Sequence, residues 1–328
     1  MTKVVFICDS EANVKRVFAA AFDRLAAQAE IYPKIITSQE MLEANFDKIS
    51  DADAFFSTWG MPALDEKIIK RFRNLKYVFY AAGSVKYFAE PFLRSGVKVI
   101  SAWQANGLPV AEFTLGHILL ATSGYFRNIR EYKPGKSNPF RGEGSYREKI
   151  GIIGGGCIGR RVIELLSAFD FEIHLFDPCL SSRTIRKMGA VRSDFDELFE
   201  KCIVVSNHLP LNDETREMVE GRHFEMMREN ATFINTGRGA TVDEEAMLAV
   251  LSRRPSVQAV LDVTVNEPPH PDSLLYTLPN VLLSSHIAGS KGNELYRMAD
   301  YCLSEFERLQ KGESLMYEVT SNMLPTMA

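Results

Sequence analysis

The chain predicts an α/β protein built from two doubly wound parallel-sheet domains. Its 328 residues exceed one ordinary domain. Short apolar runs alternate with helical stretches in two series, separated by one long apolar helix and a polar arm. Such alternation implies parallel strands wrapped by helices. In the second series a glycine-rich turn follows a strand and opens a helix, the context a dinucleotide-binding turn requires.

In the first series Val4–Cys8 reads as a buried strand and Asn13–Ala29 as an amphipathic helix. Ile35–Thr37 and Ala54–Ser57 read as strands, Asp65–Phe72 as a helix, and Tyr77–Tyr80 and Val97–Ile100 as strands. Leu108-Pro109 marks a helix start, because a first turn tolerates proline, and Ala111–Tyr125 is apolar on most faces. Residues 131–148 hold prolines, glycines and charges and read as a loop or arm. The second series runs Lys149–Ile153 (strand), Ile158–Phe169 (helix) and Glu172–Phe176 (strand). Further strands are expected at Cys202–Ser206, Ala231–Asn235, Val257–Leu261 and Val281–Ser284. A last helix over Asn293–Gln310 ends at Lys311-Gly312, a suitable C-cap.

Composition bounds the function. Hydrophobic residues make up 46% and charged residues 24%, enough core to need no staples. The net charge is −4, and no long block of one sign appears, which argues against a nucleic-acid or membrane-surface partner. Five cysteines without a C-x-x-C pair read as reduced thiols of a cytoplasmic protein. The N-terminal apolar run is too short for a signal peptide and stops at Asp9, and no run approaches a membrane span.

Gly154, Gly156 and Gly159 form G-x-G-x-x-G. The first permits a tight turn, the second lets backbone approach a diphosphate, and the third lets helix and strand pack closely. Helix N-terminal amides then face the negative charge. The next strand ends at Asp177, where a carboxylate can accept the ribose hydroxyls and repel a 2′-phosphate; this favours NAD, with Arg183 and Arg186 pulling slightly the other way. Cys157, at the helix start, reads as a small side chain in a crowded turn rather than a reactive thiol.

Three candidate catalytic residues follow the ends of later strands: Arg238 in T-G-R-G, Glu267 in N-E-P and His286 in S-H-I-A-G. Oxidising an alcohol needs a base, and imidazole titrates near neutrality. A carboxylate orients the imidazole. Guanidinium geometry matches a substrate carboxylate. Among the other histidines, His117 reads as packed, His174 as mid-strand, and His223 and His270 as surface residues.

The run Phe233–Glu245, then Leu261-Asp262-Val263 through Pro268, then His286-Ile287-Ala288-Gly289 resembles the D-isomer-specific 2-hydroxyacid dehydrogenase family. Val110-Ala111-Glu112 and the stretch from Asn207 to Arg216 fit the same pattern. The resemblance implies an NAD-dependent oxidoreductase acting on small D-2-hydroxy or 2-oxo acids. His286 would be its acid–base group, Glu267 the partner of His286, and Arg238 the carboxylate clamp. Cys157, Ile158, Asp177, His208, Pro210, Thr215, Thr236, Gly237, Asp262, Ala288 and Gly289 would line the cofactor beside the three glycines, with Asp262 at its nicotinamide end. It further implies two Rossmann-like domains with the active site in the cleft between them. Residues 1–102 plus 291–328 would form a flavodoxin-like substrate domain, and 103–290 the NAD-binding domain. A homodimer through the latter would bury the 109–125 helix.

In the substrate domain, the loop at Gly83, Ser84 and Val85 would hold the substrate carboxylate through backbone amides, although Val85 and Lys86 depart from the family's polar pattern there. Trp59 either closes over the substrate side chain or packs against Met61 and Pro62. An NAD(H)-responsive corepressor-like binding protein on the same fold is the alternative to an enzyme.

Overall fold

A computed structural model of the protein describes residues 1–135 and 138–327. Its contacts divide the chain into two units: Met1–Gly107 with Ser290–Met327, and Leu108–Gly289.

The first unit contains β1 (Thr2–Phe6), β2 (Ala29–Ile31), β3 (Ala54–Ser57), β4 (Tyr77–Tyr80) and β5 (Lys98–Ser101). The second contains β6 (Lys149–Ile153), β7 (Glu172–Phe176), β8 (Val191–Arg192), β9 (Val204–Asn207), β10 (Thr232–Asn235), β11 (Gln258–Leu261) and β12 (Val281–Leu283). The chain then returns to the first unit and adds β13 (Glu318–Val319). The first sheet is ordered β2-β1-β3-β4-β5-β13, parallel except for β13, which pairs antiparallel with β5. The second is ordered β8-β7-β6-β9-β10-β11-β12 and is parallel throughout. Strand order reverses at β1/β3 in one sheet and at β6/β9 in the other. At such reversals the loops beyond the carboxyl ends of the strands diverge and leave room for a ligand. Strands β3, β9, β10 and β11 are buried at every position, as helices on both faces demand.

The expected helix over Asn13–Ala29 is two helices, Glu11–Phe18 and Phe22–Ala26, and residues 29–31 are strand. Pairing of Ala29 with Thr2 overrides the helical periodicity at the end of that expected helix. Of the expected strand Ile35–Thr37 one bridge exists, Ile7 with Ile36. The long helix spans Trp103–Thr122, so Pro109 lies inside it rather than at its start. Pro109 has no N–H to offer the preceding turn, and Ala102 supplies no capping side chain that would mark the true start. Within the expected arm, residues 136–137 lie outside the described residues.

His223, expected at the surface, is fully buried. Its Nδ1 accepts a 2.8 Å bond from the Glu220 amide and caps the Gly221–Met226 helix, and its ring lies 5.0 and 4.9 Å from those of Phe195 and Phe199. Burial lowers its pKa. Among the described residues no helix is long and apolar enough to cross a membrane.

Candidate active site

Strand β6 runs through the glycine turn into the helix Cys157–Leu166. Gly154 sits at φ +90°, a conformation L side chains rarely adopt. A Cβ at Gly159 would overlap the Gly154 carbonyl, so the first helical turn lies directly on the loop. At Gly156 a Cβ would meet nothing within 4 Å, which leaves the helix N-terminus open to an approaching group. Two glycines are closed by packing and the middle one faces free space, the division a pyrophosphate cradle needs. Cys157 is exposed and Ile158 half-buried beside it.

Asp177 Oδ2 accepts from the Gly155 amide at 2.7 Å, and Oδ1 from the Cys179 and Leu180 amides at 2.8 and 3.1 Å. The carboxylate therefore ties the end of β7 to the glycine loop and retains lone pairs for ribose hydroxyls. Arg160, which sequence reasoning passed over, donates from Nε to the Gly155 carbonyl at 2.8 Å and sets a cation on the same loop. These residues fit NAD: open amides for the diphosphate, a carboxylate for the ribose.

Beyond β9, His208 is buried and pairs through Nε2 with Ser206 Oγ at 3.0 Å. Its Nδ1 is buried without a partner among the described residues. Burial pushes its pKa down to about 4, so the ring is neutral at pH 7. Thr215 Oγ1 donates to the Pro210 carbonyl at 2.6 Å and closes this loop.

The catalytic candidates stand on loops pinned by buried polar groups. Asn235 ends β10. Its Oδ1 accepts from Asn207 Nδ2 at 3.2 Å and from the Gly237 amide at 3.1 Å, and its Nδ2 donates to the Arg238 carbonyl at 3.2 Å. Thr241 Oγ1 accepts from Asn207 at 2.8 Å and donates to the same carbonyl at 2.7 Å. Thr236 Oγ1 lies 3.2 Å from Thr114 Oγ1. The Arg238 backbone is thus fixed from several sides. Its side chain donates to the Gly237 carbonyl at 2.7 Å. Burial lowers the pKa of the guanidinium, and the nearby Glu267 charge opposes that shift. A Cβ at Gly239 would overlap the Thr264 backbone, so the third residue after Thr236 must be glycine for the two loops to meet. Asn207, Asn235, Thr241 and Gly239 lie in motifs quoted from the sequence but were assigned no role there. The available signal was an asparagine closing each of two apolar strands, and the fold pairs the two in register.

Asp262 follows β11 and is 2% exposed. Its Oδ1 accepts from Ser284 Oγ at 2.6 Å and the Ile287 amide at 2.8 Å, and its Oδ2 from the Ala288 amide at 2.9 Å. Its carbonyl accepts from the His286 amide at 2.9 Å. One residue thereby holds Ser284, His286, Ile287 and Ala288. His286 within that loop adopts φ +57°, a region costly for a non-glycine residue and maintained here by those bonds. Its Nδ1 meets Glu267 Oε2 at 2.7 Å, with both side chains about half exposed. Glu267 also accepts from the Thr264 amide at 3.4 Å. With Nδ1 so engaged, Nε2 is the nitrogen left to exchange a proton with a ligand. A cavity of about 780 Å³ lies beside the pair, lined by Pro268, Pro269, Leu275, Tyr276 and Leu283 as well.

In the first unit the Gly83 carbonyl accepts from Ser101 Oγ at 2.6 Å, as does that of Ala82 at 3.0 Å. The amides of Gly83, Ser84 and Val85 have no acceptor among the described residues. Successive unpaired amides make an anion-binding concavity. Trp59 is half-buried and packs against the cores on both faces of the first sheet.

A family model described as the NAD binding domain of D-isomer specific 2-hydroxyacid dehydrogenases matches residues 115–288, more than half of the chain. The chain belongs to that family. D-3-Phosphoglycerate dehydrogenase of Methanocaldococcus jannaschii is 30% identical over 283 residues, covering 85% of this chain and 53% of its own length. The enzyme of the same name from Bacillus subtilis is 28% identical over 307 residues, covering 88% of this chain and 57% of its own. The chain thus spans about half the length of the curated relatives it matches. Among solved structures, a phosphoglycerate oxidoreductase from Rhizobium etli superposes with a TM-score of 0.80 at 21% identity, covering 98% of this chain and 99% of that one. The NAD-complexed D-isomer specific 2-hydroxyacid dehydrogenase of Lactobacillus delbrueckii ssp. bulgaricus gives 0.78 at 20% identity, covering 97% and 100%. These likenesses establish the two-sheet α/β fold of the family, and the second unit is its NAD-binding domain.

Proposed function

We propose that this family member is an NAD-dependent oxidoreductase interconverting a small D-2-hydroxy acid and its 2-oxo acid. The observation that carries this reading is the 2.7 Å Glu267–His286 pair, held on a locked loop at the strand ends of an NAD-binding domain. When bound, NADH supplies the hydride that reduces the carbonyl carbon. His286 gives a proton from Nε2 to the carbonyl oxygen as it becomes a hydroxyl. Glu267 orients the ring through Nδ1. Arg238 grips the substrate carboxylate and draws electron density from the adjacent oxo group.

Asp177 supports NAD over NADP, because a 2′-phosphate would meet a carboxylate. A homodimer through the second unit is supported by exposed Leu120, Tyr125, Ile129, Tyr132 and Tyr146 on and after the long helix. A cytoplasmic location is supported by five free cysteines.

Mixing the protein with NADH and glyoxylate, hydroxypyruvate, pyruvate or longer 2-oxo acids tests the reading by loss of NADH absorbance. Tight NADH binding without turnover of any acid abandons it in favour of an NAD(H)-responsive binding protein.

A further inference from the structure

The cavity of about 780 Å³ beside His286 is lined by residues of the second unit alone, all between Asp262 and Ile287. Its lining divides by chemistry. Glu267 and His286 bring the reactive polar groups, whereas the Asp262 carboxylate is already committed to Ser284, Ile287 and Ala288. Pro268, Pro269, Leu275, Tyr276, Val281 and Leu283 make an apolar wall. No lysine or arginine is among the lining residues. The sequence builds that wall from two segments. Val281 and Leu283 are alternate residues of β12 and so stand on one face of the sheet. That strand is the edge of its sheet and is half-buried at every position, so no complete helical layer covers it. Opposite in chain order, Ser273 Oγ accepts from the Leu275 amide at 3.2 Å and starts the single turn Leu274–Tyr276. Leu275 anchors the turn in the core at 2% exposure, while Tyr276 stays 52% exposed. The Arg238 guanidinium is near enough to Glu267 for the two charges to interact. Small-molecule sites of roughly 300–1,000 Å³ pair such apolar walls with a few polar groups.

We propose that this cavity receives the side chain of the substrate and selects 2-oxo acids with a bulky apolar side chain, branched or aromatic, over pyruvate and over acids tipped by phosphate. This names the substrate class of the site proposed above and rests on that reading. Every group it uses lies in the second unit. An acid with its carboxylate on Arg238 and its oxo oxygen at His286 Nε2 has the cavity beside the pair for its side chain. A three-carbon acid leaves the wall in contact with water. Each methylene moved from water onto the wall gains about 4-fold in binding. An aromatic ring lies against the Tyr276 ring and the two prolines. A phosphate tip gives up its water to apolar side chains and meets the Glu267 carboxylate, with no lysine or arginine in the lining to receive it.

Steady-state kcat/KM of the full chain with NADH tests this on pyruvate, 2-oxobutyrate, 2-oxopentanoate, 4-methyl-2-oxopentanoate, phenylpyruvate and 3-phosphohydroxypyruvate. The value should rise about 4-fold with each methylene from pyruvate to 2-oxopentanoate. Both 4-methyl-2-oxopentanoate and phenylpyruvate should exceed pyruvate by about 100-fold. The phosphate-tipped acid should trail phenylpyruvate by about 100-fold. Val281→Trp fills the cavity and should lower the phenylpyruvate-to-pyruvate ratio by about 10-fold. Tyr276→Lys sets a cation on the wall and should raise the ratio of phosphate-tipped acid to phenylpyruvate by about 10-fold. Tyr276 is exposed, so this second variant keeps the test open should the tryptophan variant fold poorly. Rates indifferent to chain length overturn the proposal, because the cavity then lies off the path of the side chain. An unchanged ratio in either folded variant overturns it too, as does a wild-type preference for the phosphate-tipped acid. Turnover of pyruvate without any gain for larger acids defeats this inference only, whereas turnover of no acid defeats the dehydrogenase reading and this inference together.

Discussion

At the carboxyl end of the second sheet the charged side chains rest on buried hydrogen bonds, whereas at the carboxyl end of the first the amides of Gly83, Ser84 and Val85 have no acceptor among the described residues. Asp262 holds Ser284, His286, Ile287 and Ala288, and Asn235 with Thr241 holds Arg238. By contrast, among the described residues the amides of residues 83–85 have no acceptor and the carboxylate of Asp9 has only the Cys8 thiol at 3.8 Å. The two ends thus suit different tasks. Bond-making chemistry needs groups fixed to within fractions of an ångström. Holding an anion needs donors left free for it.

That contrast can be broken by mutation, beginning where the expected loss is largest. His286→Ala should lower kcat by about 1,000-fold while NADH binding changes little, since it removes the acid–base group and none of the cradle. Turnover surviving within a few-fold means that another group moves the proton. Arg238→Ala should reduce kcat/KM by about 100-fold, with KM and kcat both affected, because the clamp acts before and during reduction. Asp262→Asn should cost about 10- to 100-fold in kcat: an amide NH2 then faces a backbone N–H and the loop around His286 loosens. Near-normal kcat in that variant would show that the locked loop is incidental to the chemistry.

His208 tests the buried side of the same sheet through pH. Its folded pKa of about 4 lies below the ordinary 6.5, so the unfolded chain binds the proton more readily. The stability it contributes is present above pH 6.5 and is lost as pH falls toward 4. Between pH 7 and pH 5 the loss should be roughly 2 kcal/mol, and His208→Gln should flatten that slope in denaturant unfolding. The smallest effect is expected in the first sheet. A Cβ at Gly83 would stand 3.0 Å from Asn106 Nδ2, so Gly83→Ala should nudge the amide loop and raise substrate KM about 3-fold with kcat nearly constant. An equal fall in kcat would erase the distinction between the two ends.

Much of the second unit was legible in the sequence because its signals are local. G-x-G-x-x-G, Asp177 and the strand ends before Arg238, Glu267 and His286 each depend on a few adjacent residues. Strands β3, β4, β6 and β7 coincide with apolar runs for the same reason. The misses arise where distant segments decide. Ala29 read as the end of a helix because its partner, β1, lies far away in sequence. His223 looks like a surface histidine until two phenylalanines close over it.

The sequence by itself determined the α/β class, the dinucleotide turn and the choice of Arg238, Glu267 and His286 as candidates, because residue type and short spacing specify them. Tertiary structure alone decided that Asp262 pins the His286 loop, that Asn207 and Asn235 meet across parallel strands, and that Asp9 lies on Gly60. Those contacts join residues 25, 28 and 51 positions apart, and only the pairing and packing of the sheets bring such partners within hydrogen-bonding or van der Waals reach.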